Sequence, residues 1–79
     1  MKNTGNRAFQ FRLAAGEVCR LPRSIREIRI VAGQAWVTYG GKDVILNAGD
    51  STQLGRKEDQ SLAVISALKH APLVFDAAA

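Results

Sequence analysis

The sequence predicts an all-β domain, a small barrel or sandwich of about seven or eight short antiparallel strands. Three observations carry this reading. Apolar and polar residues alternate with the two-residue period of a half-buried strand in one run after another. Glycine and charged residues interrupt these runs at short, regular intervals. The chain, at 79 residues, has room for one domain only. That domain is expected to span 8–76, with 1–7 and 77–79 as flexible termini.

Phe9, Phe11 and Leu13 alternate with Gln10 and Arg12, which predicts a first strand with its apolar face inward. Val18 to Leu21 is a second, shorter extended piece. In Ile25 to Val31, Ile28 and Ile30 share one face while Glu27 and Arg29 share the other. Gln34 to Tyr39 sets Ala35, Val37 and Tyr39 on one side and Trp36 and Thr38 on the other, and Val44 to Leu46 follows. Gly40-Gly41 between these last two runs is a two-residue hairpin signal, because both central positions of such a turn can require positive φ. That loop would set Val37 against Val44 and Ala35 against Leu46 on the inner side, with Trp36 against Ile45 on the other. Ala32-Gly33 is a second candidate turn. As a two-residue loop it would lay Arg29 opposite Trp36 as a cation–π pair. Alanine resists positive φ, so a bulged turn with a shifted register is the alternative.

A short internal echo accompanies these strands. Leu13-Ala14-Ala15-Gly16-Glu17, with Leu21 beyond it, returns 33 residues later as Leu46-Asn47-Ala48-Gly49-Asp50 followed by Leu54. Each copy reads as strand, tight turn at glycine, strand, and one turn type used at two corresponding corners accounts for it. Glu17 and Asp50 follow turn glycines, where a carboxylate accepts local backbone N–H bonds, so a turn role is preferred to acid–base work. Ser61 to Leu68 reads two ways. Leu62, Ile65 and Leu68 recur at helical spacing, with Asp59 as a cap and Lys69 and His70 as a C-terminus before Pro72. Strand is preferred, since Val64 and Ile65 are β-branched and the rest of the chain is β. Leu73 to Asp76 is the last strand expected, leaving Ala77-Ala78-Ala79 as a loose end.

A chain this short buries only about 60% of the surface its unfolded form exposes. Small domains lean on disulfides, metal or association. Cys19 is the one cysteine and cannot pair within the chain, and with the one histidine, His70, it cannot supply four zinc ligands. Association remains, so a homo-oligomer, in the simplest case a dimer, is expected. A lone thiol fits a reducing compartment. No apolar segment follows the basic residues of Met1 to Gln10, and no run approaches the roughly 18 residues of a membrane span. A cytoplasmic protein with no membrane partner is expected.

The net charge of +4 is unevenly placed. From Arg7 to Arg29 six arginines stand against Glu17 and Glu27, whereas from Ile30 onward four basic residues face five acidic ones. Arg12, Arg20, Arg23, Arg26 and Arg29 are the candidate basic surface for nucleic acid or an acidic partner. Phe9 and Phe11 alternate away from Arg12, and no zinc-finger, helix-turn-helix or RNA-recognition signature appears. A solvated sheet face is the preferred reading of these arginines.

The order and spacing of Leu13, Gly16-Glu17, Gly33, Trp36-Val37-Thr38, Asp43, Leu46 and Gly49-Asp50 resemble a small bacterial cupin-like family of unknown function. In that family a strand ending in Leu-x-x-Gly-Glu leads to Gly-x-x-Trp-Val-Thr, then an Asp, then Leu-x-x-Gly-Asp. The apolar stretch Leu62 to Leu68 suits the family's next strand. The resemblance implies a cupin-like β-barrel and brings no established activity. Metal-binding cupins are similar to this chain only in skeleton. They place two histidines and a glutamate after a first Gly, and another histidine after a Gly-Asp turn. Here Ala35, Trp36, Val37 and Thr38 follow Gly33, and no histidine occurs from Ser51 to Gln60, so a monomer cannot build a three-histidine site.

No metal, cofactor or catalytic residue is therefore expected. His70 reads as a surface turn histidine, with no partner constellation for a catalytic base. Cys19, though beside Arg20, reads as a small buried hydrophobe. Gly16, Gly33, Gly40, Gly41, Gly49 and Asp50 are structural turn residues. Trp36, with Ile45 beside it, either covers the second sheet face as core or forms an exposed apolar spot for a partner. The chain is read as a non-catalytic module that self-associates and binds a protein or small-ligand partner. A nucleic-acid-binding or regulatory β-domain is the alternative, and an enzyme with an intersubunit site at His70 or Cys19 comes third.

Overall fold

The computed structural model describes residues 8–54, 63–68 and 71–78. Eight strands occur among them: β1 (Ala8–Leu13), β2 (Val18–Arg20), β3 (Glu27–Ala32), β4 (Gln34–Tyr39), β5 (Lys42–Asn47), β6 (Ser51–Gln53), β7 (Val64–Ala67) and β8 (Leu73–Ala78). They form two four-stranded sheets, ordered β1-β8-β3-β6 and β2-β7-β4-β5. Every pairing is antiparallel. The alternation read from the sequence for β3 and β4 is thus the alternation of the fold, whereas Phe9 in β1 is 54% exposed.

The inward faces close on one apolar core. Ile28, Ile30, Leu73, Phe75 and Ala77 supply it from one sheet and Ala35, Val37, Leu46, Ile65 and Ala67 from the other, with Leu21, Ile25 and Leu54 from the connections. Phe75 is fully buried and its ring stacks on Phe11 of the neighbouring strand, centroids 5.2 Å apart. Burying such a side chain contributes about 1.5–3 kcal/mol. None of the buried residues among those described is polar or charged.

The β4–β5 hairpin turns on Gly40 and Gly41, whose φ of 56° and 78° are the positive values a two-residue loop of this kind requires. Val37 lies opposite Val44, Ala35 opposite Leu46 and Trp36 opposite Ile45, the register the loop length dictates. The echo is also real in three dimensions. Gly16 and Gly49 take φ of 83° and 95°. In each turn the carboxylate reaches back three residues: the Ala14 N–H donates to Glu17 Oε1 at 2.7 Å, and the Asn47 N–H to Asp50 Oδ2 at 2.8 Å. Each turn carries the chain from one sheet to the other, β1 to β2 and β5 to β6. The two halves of the chain therefore wind around each other with their sheets exchanged.

Two expectations change. Ala32-Gly33 does not close a hairpin: β3 pairs with β6 and β8, while β4 pairs with β5 and β7. A bulge between Ile30 and Ala32, followed by positive φ of 88° at Gly33, bends the chain from one sheet into the other. A Cβ at Gly33 would meet the Pro72 carbonyl oxygen at 2.3 Å, so this corner excludes any other residue without rearrangement. Arg29 consequently lies opposite Asp76 and Ser51, on the other sheet from Trp36, and the cation–π pair does not form. The loose C-terminal end is also corrected. Ala77 and Ala78 extend β8, with Ala77 fully buried between Phe9 and Ile28 in register, because a methyl group suits the crowded inner face. The segment that read two ways is a strand over Val64–Ala67, as preferred, with Ile65 and Ala67 inward. Residues 61, 62, 69, 70 and 79, and the terminus 1–7, lie outside the described residues.

Candidate functional site

The outward positions of the β2-β7-β4-β5 sheet form a candidate contact surface. Strand parity turns Trp36 away from the core, since its neighbours Ala35 and Val37 are fully buried. Cross-strand register then assembles a row. Val18 lies opposite Ser66, Ser66 opposite Trp36, and Trp36 opposite Ile45. Val18, Trp36 and Ile45 are 62%, 45% and 51% exposed, which places three large apolar side chains in one line on the surface. Val64, one level along the same face, is half-buried. Polar pairs bracket the row on the hairpin. Gln34 Nε2 donates to Asn47 Oδ1 at 2.7 Å on one side, and Thr38 Oγ1 donates to Asp43 Oδ1 at 2.9 Å on the other. An apolar centre with a polar surround is the anatomy of an interaction patch.

Trp36 and Ile45 are thus the exposed alternative of the two readings of that pair. The sequence did not point to Val18 or Ser66. Parity alone puts Val18 on the face opposite Cys19, but only the β2–β7 pairing brings it into line with Trp36.

The arginines do not share one surface. Arg12 and Arg29 lie on the outer face of the β1-β8-β3-β6 sheet, Arg20 lies on the other sheet, and Arg23 and Arg26 lie in the connection between β2 and β3. Acidic groups stand among them: Asp76 is opposite Arg29 and accepts a hydrogen bond from Gln10 Nε2 at 3.1 Å, and Glu27 is two residues from Arg29. Cys19 is half-buried against the core, facing Ile65, with its Sγ donating to the Arg20 carbonyl oxygen at 3.5 Å. His70 lies outside the described residues.

The inner face does not fit a metal centre. The inward side chains of β4 and β5 are Ala35, Val37, Tyr39, Val44 and Leu46, and an inward polar contact joins Tyr39 Oη to Thr52 Oγ1 at 3.5 Å. Among the described residues no three His, Cys, Asp or Glu side chains come together.

Solved structures place this architecture. The chain superimposes on a cupin protein from Bacteroides fragilis with a TM-score of 0.72 and 24% identity, over 96% of this chain and 65% of that one. It is similar to a Cupin 2 conserved barrel domain protein from Salinispora arenicola, with a TM-score of 0.77 and 18% identity over 98% and 64% of the two chains. It is also similar to the Cupin_2 domain of an XRE family transcriptional regulator from Enterobacter cloacae, with a TM-score of 0.76 and 13% identity over 92% and 78%. The chain therefore has the cupin fold, a double-stranded β-helix, and it spans about two thirds of the length of the first two of these proteins. No protein-family model matches the chain, and no curated protein matches it.

Proposed function

We propose that this protein is a non-catalytic cupin-like module that acts by binding, self-associating through the outer face of the β2-β7-β4-β5 sheet and engaging a protein or small-ligand partner. The row Val18–Ser66–Trp36–Ile45 carries this reading, because an apolar line across a sheet face gains free energy only when something covers it. The absence of histidine near Gly33 and Gly49-Asp50 and the apolar inner face support a role without metal or cofactor. The order of Leu13, Gly33, Trp36-Val37-Thr38 and Gly49-Asp50 supports membership of the small bacterial cupin-like family. A cytoplasmic location goes with the single free thiol of Cys19. The nucleic-acid alternative is weaker, since its arginines divide between two faces and a loop.

The test is sedimentation velocity over a concentration series. The wild-type chain is expected to associate and Trp36→Ala to remain monomeric at the same concentrations. A variant that associates as well as the wild type would remove the row from the function.

A further inference from the structure

We propose that the partner on this face is a second copy of the chain, related by a twofold axis that runs along the strands between β7 and β4. The proposal rests on the self-association reading above and specifies its geometry. Two symmetric arrangements bring identical sheet faces together with their strands aligned, one with the axis along the strands and one with the axis across them. An axis along the strands reverses the strand order, so β2 meets β5 of the second copy and β7 meets its β4. The apolar row then maps onto itself. Val18 meets Ile45 and the Trp36 indole meets the small Ser66, and each contact occurs twice.

The adjoining row supplies the discriminating feature. Arg20 lies opposite Val64, Val64 opposite Thr38, and Thr38 opposite Asp43. The face therefore carries a cation at its β2 edge and a carboxylate at its β5 edge, at the same level. Under the axis along the strands, Arg20 of each copy meets Asp43 of the other. The Thr38 hydroxyl holds Asp43 Oδ1 at 2.9 Å, and the second carboxylate oxygen can accept from a guanidinium. An axis across the strands stacks Trp36 on Trp36 and Ile45 on Ile45, and it sets Asp43 over Asn47, with no charge pairing. Charge and size complementarity both select the first arrangement.

The extent of the face sets the strength. Four strands at about 4.8 Å spacing and, in β4 and β5, six residues at about 3.4 Å rise bound the face at roughly 19 by 20 Å, and the shorter β2 and β7 reduce it. Two such faces total at most about 760 Å², below the about 1,000 Å² of a stable specific interface, so the dimer is expected to be weak and to dissociate on dilution.

Arg20→Asp and Asp43→Arg, made singly and together, test the geometry. Sedimentation velocity gives the dimer affinity, and the emission of Trp36, the one tryptophan of the chain, reports its burial. Each single reversal replaces two attractions by two repulsions and is expected to weaken the dimer on the order of tenfold. Circular dichroism is expected to stay unchanged, and the monomer's denaturation midpoint to stay unchanged for Arg20→Asp and to fall only slightly for Asp43→Arg, which also gives up the bond from Thr38. The double reversal is expected to restore the affinity to within about threefold. Single variants that associate like the wild type, or a double variant that fails to recover, would overturn this axis. If Trp36→Ala still abolished association in that case, self-association through the row would stand. A wild-type chain that stays monomeric at the highest soluble concentration would overturn both.

Discussion

The two sheets carry corresponding rows of outward positions with different chemistry. On the β1-β8-β3-β6 sheet the row runs Gln10, Asp76, Arg29, Ser51. On the β2-β7-β4-β5 sheet it runs Ile45, Trp36, Ser66, Val18. The rows meet at the twin turns, since Val18 and Ser51 stand at the same place after Gly16-Glu17 and Gly49-Asp50, while at their far ends Gln10 lies three residues before Leu13 and Ile45 one before Leu46. The first row is polar throughout, with Gln10 donating to Asp76 and Arg29 lying opposite that carboxylate. The second leaves three apolar side chains about half exposed. Both inner faces, by contrast, are apolar but for Thr52 and the Tyr39 hydroxyl. Folding thus constrains the inward positions of both halves alike and tolerates a polar row on an outer face. The apolar outer row is an addition that the fold does not require.

The strongest way to break that contrast is to compare truncations on either side of a sheet. Phe75→Ala removes a fully buried ring from the core and is expected to cost about 3–5 kcal/mol in urea denaturation, a large share of a small domain's stability. Trp36→Ala, measured at a concentration where the wild type is monomeric, is expected to cost less than about 1 kcal/mol. Equal losses would mean that Trp36 belongs to the core and that the two outer faces do not differ in role.

The corner that separates the sheets gives the next effect. Gly33→Ala sets a Cβ against the Pro72 carbonyl at positive φ, and a loss of about 3 kcal/mol is expected. Gly49→Ala has the same sign of φ but nothing within 4 Å of the added Cβ. It should lose only the about 1–2 kcal/mol of a left-handed non-glycine residue. Thermal or urea denaturation of the two variants separates a crowded corner from a merely tight one. Similar losses would show that φ alone governs both sites.

What the sequence disclosed follows from the range over which each feature is encoded. The β4–β5 hairpin was legible because its turn residues and its alternation lie within one stretch, Gln34 to Asn47. The twin turns were legible because glycine and carboxylate recur at one spacing. Gly33 misled because a turn glycine looks the same whether the chain returns along its own sheet or crosses to the other, and the choice is made by β6 and β8, far along the chain. Alanines at 77 and 78 carry little strand propensity, and the place of Ala77 is set by the room left between Phe9 and Ile28. The candidate surface was half visible: Trp36 and Ile45 belong to one hairpin, whereas Val18 and Ser66 reach the row only through the β2–β7 and β4–β7 pairings. The arginines, gathered between Arg12 and Arg29 in the sequence, are dispersed because alternation and the crossing between sheets send them to different faces.

The smallest effects bear on whether the two halves are energetic as well as geometric equivalents. Glu17→Ala and Asp50→Ala each remove a carboxylate that accepts a backbone N–H, from Ala14 and Asn47 respectively. Each is expected to cost about 1 kcal/mol in urea denaturation, the net worth of an exposed hydrogen bond that organises a turn. Asp50→Asn keeps an oxygen acceptor in place and should cost less than about 0.5 kcal/mol, which separates hydrogen bonding from charge. The lengths of the two side chains differ by one methylene, so the Glu17 turn holds one more rotor in place than the Asp50 turn. A somewhat smaller loss for Glu17→Ala is therefore compatible with equivalence. A loss confined to Asp50 would not be: the β5–β6 turn would then be held by its side chain and the β1–β2 turn by its backbone alone. In that case the halves would differ in their corners as well as on their outer faces.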